Sequence, residues 1–186
     1  MTTHVMIDIE TIGTAPGSVI ASIAAVAFRP GEVIPGRAEQ SRDGAFFQSV
    51  DISDCADLGL TIDAGTLLWW FDQPDVARQQ LKGGDSLSAS LNGLRQFINR
   101  VDADLLWGNS PKFDMTMLER GYDAIGMPAP WEFYELRDYR TLTGLSPALP
   151  AEVERAGVEH HALDDAYHQA RVAAEILGEL EDHYGV

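Results

Sequence analysis

The sequence predicts an α/β fold, a mixed β-sheet flanked by helices, formed as a single domain over residues 1–186. Three observations lead there. Apolar, β-branched runs of strand type come first, helical periodicity takes over afterwards, and one short apolar run interrupts the helices.

His4-Val5-Met6-Ile7-Asp8-Ile9 reads as the first strand. Thr14-Ala15-Pro16-Gly17-Ser18 makes a turn, and Val19 through Phe28 reads as a second, mostly buried strand. Pro30-Gly31 and Pro35-Gly36 punctuate the next segment, and Phe46 through Val50 is a third strand. These three can pair as an antiparallel meander. Asp63 can cap a short helix carrying Leu67, Leu68, Trp69, Trp70 and Phe71 and stopped near Pro74. Asp85 or Ser86 can cap a longer one, with Leu87, Leu91, Leu94, Phe97, Ile98 and Val101 at helical spacing. Asp104 through Gly108 is a short buried strand. Pro111 suits the first turn of a helix with Phe113, Met117, Leu118 and Tyr122, closed by Gly121 or Gly126. Tyr139 to Leu145 is a further short helix. The last helix runs from about Leu163 to Leu180, with an apolar stripe through Ala166, Ala170, Ala173, Ala174 and Leu177.

Composition narrows the function classes. A hydrophobic fraction of 45% supports a real core and excludes disorder. No run approaches the roughly 18 apolar residues that span a bilayer, so no membrane partner is expected. Met1-Thr2-Thr3-His4 carries no Lys or Arg, and Asp8 and Glu10 interrupt the apolar stretch that a signal peptide would need. The single cysteine, Cys55, excludes an intrachain disulfide and fits a reducing, cytoplasmic setting. A formal charge of −16 argues against a protein that grips long duplexes through a basic footprint. It does not exclude an end-trimming enzyme whose carboxylates meet phosphate through divalent cations.

Asp8 and Glu10 carry the first chemical signal. Positions two apart on a strand share a face, so both carboxylates project together from an apolar strand. At about 4 Å and an effective dielectric near 20, such charges repel by roughly 4 kcal/mol. Two readings fit: a hard divalent cation bridges them, or the strand is a solvent-facing edge and the acids are wet. The second signal is Asn109-Ser110-Pro111-Lys112-Phe113-Asp114, which places an acid just past the end of a buried strand. An acid there is also explained by the helix dipole. The third is His160-His161-Ala162-Leu163-Asp164-Asp165, histidines followed by acids as a helix begins. Zinc is a weaker reading, because the company is carboxylates without a useful cysteine. Taken together, acids and a histidine from three separate segments describe a carboxylate cage with a titratable base beside it.

Asp8-Ile9-Glu10-Thr11 resembles the first motif of the DEDDh 3′-5′ exonuclease family. The segment through Asn109 and Asp114 is similar to the second, and His160 through Asp165 resembles the third, a His-x-Ala-x-x-Asp pattern. Met6 through Thr11, the Thr14–Gly17 turn and Trp69-Trp70 look most like the branch of small mycobacterial and phage 3′-5′ exoribonucleases. The resemblance implies an RNase H-like fold and stepwise release of nucleoside 5′-monophosphates from a 3′ end. It selects His160 and Asp165 over His161 and Asp164, a choice that residue physics leaves open. It implies that Asp8, Glu10, Asp114 and Asp165 hold two divalent ions, Mg²⁺ or Mn²⁺, and that His160 takes the proton from the attacking water. Thr11 and Ile12 are then expected to meet the terminal nucleotide through backbone groups and an apolar wedge, and Asn109 is a further expected contact; single-stranded nucleic acid 3′ ends, RNA above all, are the expected partner. A homodimer is suggested as well. Separately, Trp69 and Trp70 lie about 100° apart on a helix, so one belongs to the core, and Trp70 is the candidate to stack a base.

A DNA 3′-5′ exonuclease and a non-catalytic, end-binding scaffold of the same fold are the competing readings. Arg137 and Arg140 are among the few available cations, suited to a surface ion pair or a phosphate contact. The segment from Leu145 to Glu159, with Pro147 and Pro150, is a lid hypothesis.

Overall fold

The computed structural model describes residues 2–34 and 44–184, except for the side chains of Ala151 and Tyr184. Strands β1 (His4–Thr11), β2 (Ile20–Phe28) and β3 (Ala45–Ser49) form the expected antiparallel meander. Helices α1 (Ile52–Asp57), α2 (Ala64–Phe71), α3 (Asp75–Arg78) and α4 (Leu87–Arg100) lead to β4 (Leu105–Gly108). Then come α5 (Asp114–Ala124), β5 (Leu136–Asp138), α6 (Tyr139–Leu145), α7 (Leu149–Glu152) and the long α8 (Ala162–Tyr184). The sheet order is β3-β2-β1-β4-β5, with β4 parallel to both β1 and β5.

β1 therefore lies in the middle of the sheet, covered on both faces, which is why its sequence is nearly continuous in apolar residues. One face gathers Val5, Ile7 and Ile9 with Leu87, Leu91, Leu94 and Phe97 of α4 and Met117 and Leu118 of α5. The other gathers Met6, Ala24 and Val26 with Ala166, Ala170 and Ala173 of α8. Asp8 and Glu10 share the parity of Met6, so they point at α8. The solvent-facing edge reading of this strand is thereby overturned.

Local choices resolve in physical terms. Ser86, not Asp85, caps α4, its hydroxyl accepting from the Ala89 N–H at 3.2 Å. Asp63 caps α2 through the Thr66 N–H at 2.7 Å. Pro111 does not enter the helix: the Ser110 carbonyl accepts from both Phe113 and Asp114, at 2.7 and 3.1 Å, closing a turn that delays α5 to Asp114. Gly126 closes that helix and Gly121 lies inside it. The Pro30-Gly31 turn is present, with the Glu32 N–H on the Arg29 carbonyl, whereas Pro35-Gly36 lies outside the described residues. Strand β5 and helices α1, α3 and α7 were not expected from sequence. Among the described residues no helix is long and apolar enough to cross a membrane.

Candidate active site

Parallel pairing of β1 with β4 brings the C-terminal ends of both strands to one edge of the sheet. Glu10 lies at the end of β1, and Asp114 opens the helix that follows β4. Gly108 lets Asp114 close in: a β-carbon there would stand 2.9 Å from its Oδ2. The Ser110 N–H donates to the same oxygen at 3.3 Å. From the other side, α8 lays Asp165 and Gln169, one helical turn apart, against Glu10 and Asp8. One turn rises about 6 Å over four residues and two strand residues span about 6.6 Å, so the two pairs are in step. Gln169 Nε2 donates to Asp8 Oδ1 at 2.8 Å.

These groups open onto a cavity of about 360 Å³ lined by Asp8, Glu10, Asp114, His160 and Asp165 together with Asn109, Arg140, Arg155 and Gln169. Ligand atoms of Glu10, His160 and Asp165 all lie within 4.8 Å of one another. His160 adopts a left-handed backbone (φ 62°) and donates its N–H to Asp165 Oδ2 at 2.9 Å. Arg155, in the loop before α8, pairs with Asp165 Oδ1.

Burial dominates the electrostatics. It holds the Asp8 carboxyl well above the usual range, reinforced by the charges of Asp114, Glu10 and Asp165 and only partly offset by Gln169. Burial, then Asp165 and Asp114, push Glu10 up to about 8. Burial raises Asp114 to about 6, against backbone N–H donors led by Ser110. Carboxylates this close cannot all ionise without a cation. An oxygen-rich donor set with one imidazole, opening onto water, suits a hard divalent ion. Arg155 on Asp165 supplies one positive charge in just the place such an ion would neutralise.

The expected substrate contacts separate into two groups. Asn109 lines the cavity, its carbonyl accepting from Arg140 Nε at 2.9 Å. Thr11 turns its hydroxyl to the Gly13 carbonyl at 2.7 Å, and its own carbonyl accepts from the Trp70 indole at 2.9 Å. Trp70 and Ile12 are each 1% exposed and belong to the core. Neither has a face left for a base, which corrects the expectation of side-chain contact from them. The exposed partner is Trp69, 41% accessible, with its ring 4.9 Å from that of His160 at an angle of 80°. Arg137 and Arg140, expected in a surface ion pair, form none among the described residues: Arg137 donates to the carbonyls of Tyr134 and Leu136, and Arg140 to the carbonyl and side-chain oxygen of Asn109. Sequence reading missed Gln169 and Arg155. The first carries a signal in its four-residue spacing from Asp165; the second, in an irregular loop, carries none.

The model of the 3′-5′ exoribonuclease Rv2179c-like domain family matches residues 3–177. No curated protein sequence matches the chain. Among solved structures, the nuclease domain of 3′hExo, a DEDDh family member bound to rAMP, superimposes with a TM-score of 0.60 at 16% identity, covering 97% of this chain and 92% of that one. Escherichia coli Exonuclease I in complex with a dA13 oligonucleotide gives 0.64 at 16% identity; all of this chain is covered, but only 41% of that one. Cell-death related nuclease 4 gives 0.53 at 13% identity, with 99% and 65% covered. The chain thus spans about two fifths of Exonuclease I, and the shared part is the fold. With its mixed five-stranded sheet and the family match over nearly its whole length, the chain belongs to the 3′-5′ exoribonuclease Rv2179c-like domain family.

Proposed function

We propose that the protein removes nucleoside 5′-monophosphates one at a time from the 3′ ends of single-stranded RNA, using two divalent cations, Mg²⁺ or Mn²⁺. The observation that carries this reading is the convergence of four carboxylates and the His160 ring on one open cavity at the strand ends. The family's description as exoribonucleases and the rAMP held by 3′hExo favour RNA. The oligonucleotide bound by Exonuclease I favours a single strand.

Asp8, Glu10, Asp114 and Asp165 would hold the cations. When bound, these supply Lewis-acid activation of water and charge relief for the leaving oxygen. The chain's own side chains do the rest. Gln169 holds one Asp8 oxygen in place. His160 receives the proton of the attacking water on a ring nitrogen facing Glu10 and Asp165. Asn109 and Arg140 stand at the cavity wall to meet the sugar and a phosphate oxygen. Trp69 offers an open indole face beside His160 for a terminal base. The acidic surface grips few nucleotides, so short strands and distributive trimming are expected.

The test is a degradation time course on 5′-labelled single-stranded RNA and its DNA twin with Mg²⁺ or Mn²⁺, for the wild type and Asp8→Ala. A one-nucleotide ladder on RNA, abolished by EDTA and by the substitution, is the expected result. A ladder on DNA alone would transfer the activity to DNA ends, and no ladder from folded protein would leave a non-catalytic, end-binding protein.

A further inference from the structure

The base proposed above is not positioned by the neighbouring helix α8 alone. Its N–H is fixed by Asp165, but its carbonyl is held from elsewhere in the chain, by Gln80. Gln80 lies in a short 3₁₀ turn, Gln79–Leu81, after α3, and is 3% exposed. Its amide makes four hydrogen bonds. Nε2 donates to the carbonyls of His160 and Ala77, and Oε1 accepts from Ser22 Oγ at 2.8 Å and from the Ala162 N–H at 3.2 Å. That is the full complement of a primary amide.

Two features make this more than the satisfaction of a buried polar group. First, donating to the carbonyl of one residue and accepting from the N–H two residues on is how a neighbouring strand brackets the residue between. The side chain thus gives residues 160–162 the restraint of a sheet where no strand is present. It does so at His160, the residue held in the left-handed backbone region that only glycine enters freely. Second, Ser22 is the β2 residue directly opposite Glu10 in the strand register. The amide therefore ties the backbone of the base to the strand that fixes Glu10.

We infer that Gln80 is the positioning residue of the reaction, setting the His160 ring relative to Glu10 and Asp165 through the Ser22–Gln80–His160 link. This rests on the function proposed above, with His160 as base. Loss of the amide frees the 160–162 backbone and lets the imidazole swing from its place, while the carboxylate cage, built on β1, α5 and α8, remains.

The test is a double-mutant cycle. Gln80→Met, of similar shape but without the amide, is combined with His160→Ala, and single-nucleotide release is measured at saturating metal. In the wild-type background Gln80→Met is expected to lower kcat about 100-fold, the usual effect of misplacing a reacting group by about 1 Å, with KM changed less than about threefold. In the His160→Ala background it should cost less than about twofold, because there is no base left to misplace. Hydrogen exchange should show the Ala162 amide losing protection while that of Ile7 in the sheet keeps it. If Gln80→Met does not fold, Gln80→Glu, which keeps the acceptor oxygen and loses the donor to His160, is read in the same cycle. Equal losses in both backgrounds, or a folded variant with wild-type kcat, overturn the positioning role alone. A wild type without exonuclease activity, or a His160→Ala protein at full rate, overturns it together with the base assignment.

Discussion

Replacing Glu10 with glutamine should make the metal-free protein more stable, and increasingly so as the pH rises. Glu10 is half-buried beside Asp165 and Asp114, and its carboxyl is pushed from 4.5 to about 8. That displacement corresponds to about 5 kcal/mol of preference for the protonated form in the fold. Below pH 4.5 both folded and unfolded chains carry this proton, and the associated stability is fully present. As the pH rises toward 8, the unfolded chain gives the proton up while the folded one retains it, so stability drains away through this window. The slope is about 1.4 kcal/mol per pH unit, or about 2 kcal/mol between roughly pH 6 and roughly pH 7.5. In a domain of this size that is about 4–8 °C in Tm. Asp8, raised by the same neighbours, adds to the slope in the same direction. The assay is thermal or urea unfolding in EDTA across that range, for wild type and Glu10→Gln. The wild type should lose stability as the pH rises, and the variant should lose less, by about 1.4 kcal/mol per pH unit, the remainder being the contribution of Asp8. With saturating Mg²⁺ or Mn²⁺ the wild-type loss should shrink, since bound cations favour ionised carboxylates. A metal-free wild type that is flat or more stable at the alkaline end, or a variant with the same slope, would refute this account of the cage.

Other consequences follow from neighbouring groups. Trp69→Ala should raise KM for an oligonucleotide at least fivefold, given about 1–3 kcal/mol for a base stacked on an aromatic ring, with unchanged melting. Trp70→Ala should instead cost about 3–5 kcal/mol in urea unfolding, as a fully buried aromatic does. Arg155→Met should tighten Mn²⁺ binding, read by calorimetry, by up to about fivefold, because the guanidinium on Asp165 is a partly exposed competitor worth at most about 1 kcal/mol. Gly157→Ala should cost about 1–3 kcal/mol: its φ is 93° and an added β-carbon would run into the Asp164 carboxylate that caps the Val158 N–H.

Legibility in the sequence followed the range of the interactions. β1, β2, α4 and α8 carry their own periodicity, and each is present within a few residues of where that pattern puts it. β5 is three residues, Leu-Arg-Asp, and exists because β4 lies alongside, a relation no local pattern encodes. Whether Asp8 and Glu10 were wet or enclosed depended on β1 being central, which only the strand order decides. Trp69 and Trp70 are adjacent on a helix and so face different ways, but which one reaches the core depends on the Thr11 carbonyl nearby. The three motif segments were visible because each keeps its acids within a few residues. Gln80 was not, because it acts on residues 80 positions away, and Arg155 was not, because the irregular loop that carries it has no pattern to point at Asp165.

The hydrogen bond between Gln169 and Asp8 joins positions 161 apart in the chain. β1 ends up in the middle of a sheet whose other neighbour, β4, and whose covering helix, α8, follow much later in the sequence. Such distant contacts form only after a long loop is closed, and they form late. During synthesis the first acids therefore stand without those of the third motif, which emerges some 150 residues later. The acidic cluster comes into being only when α8 docks on β1, so the candidate site is complete only once the whole stretch from β1 to α8 has folded.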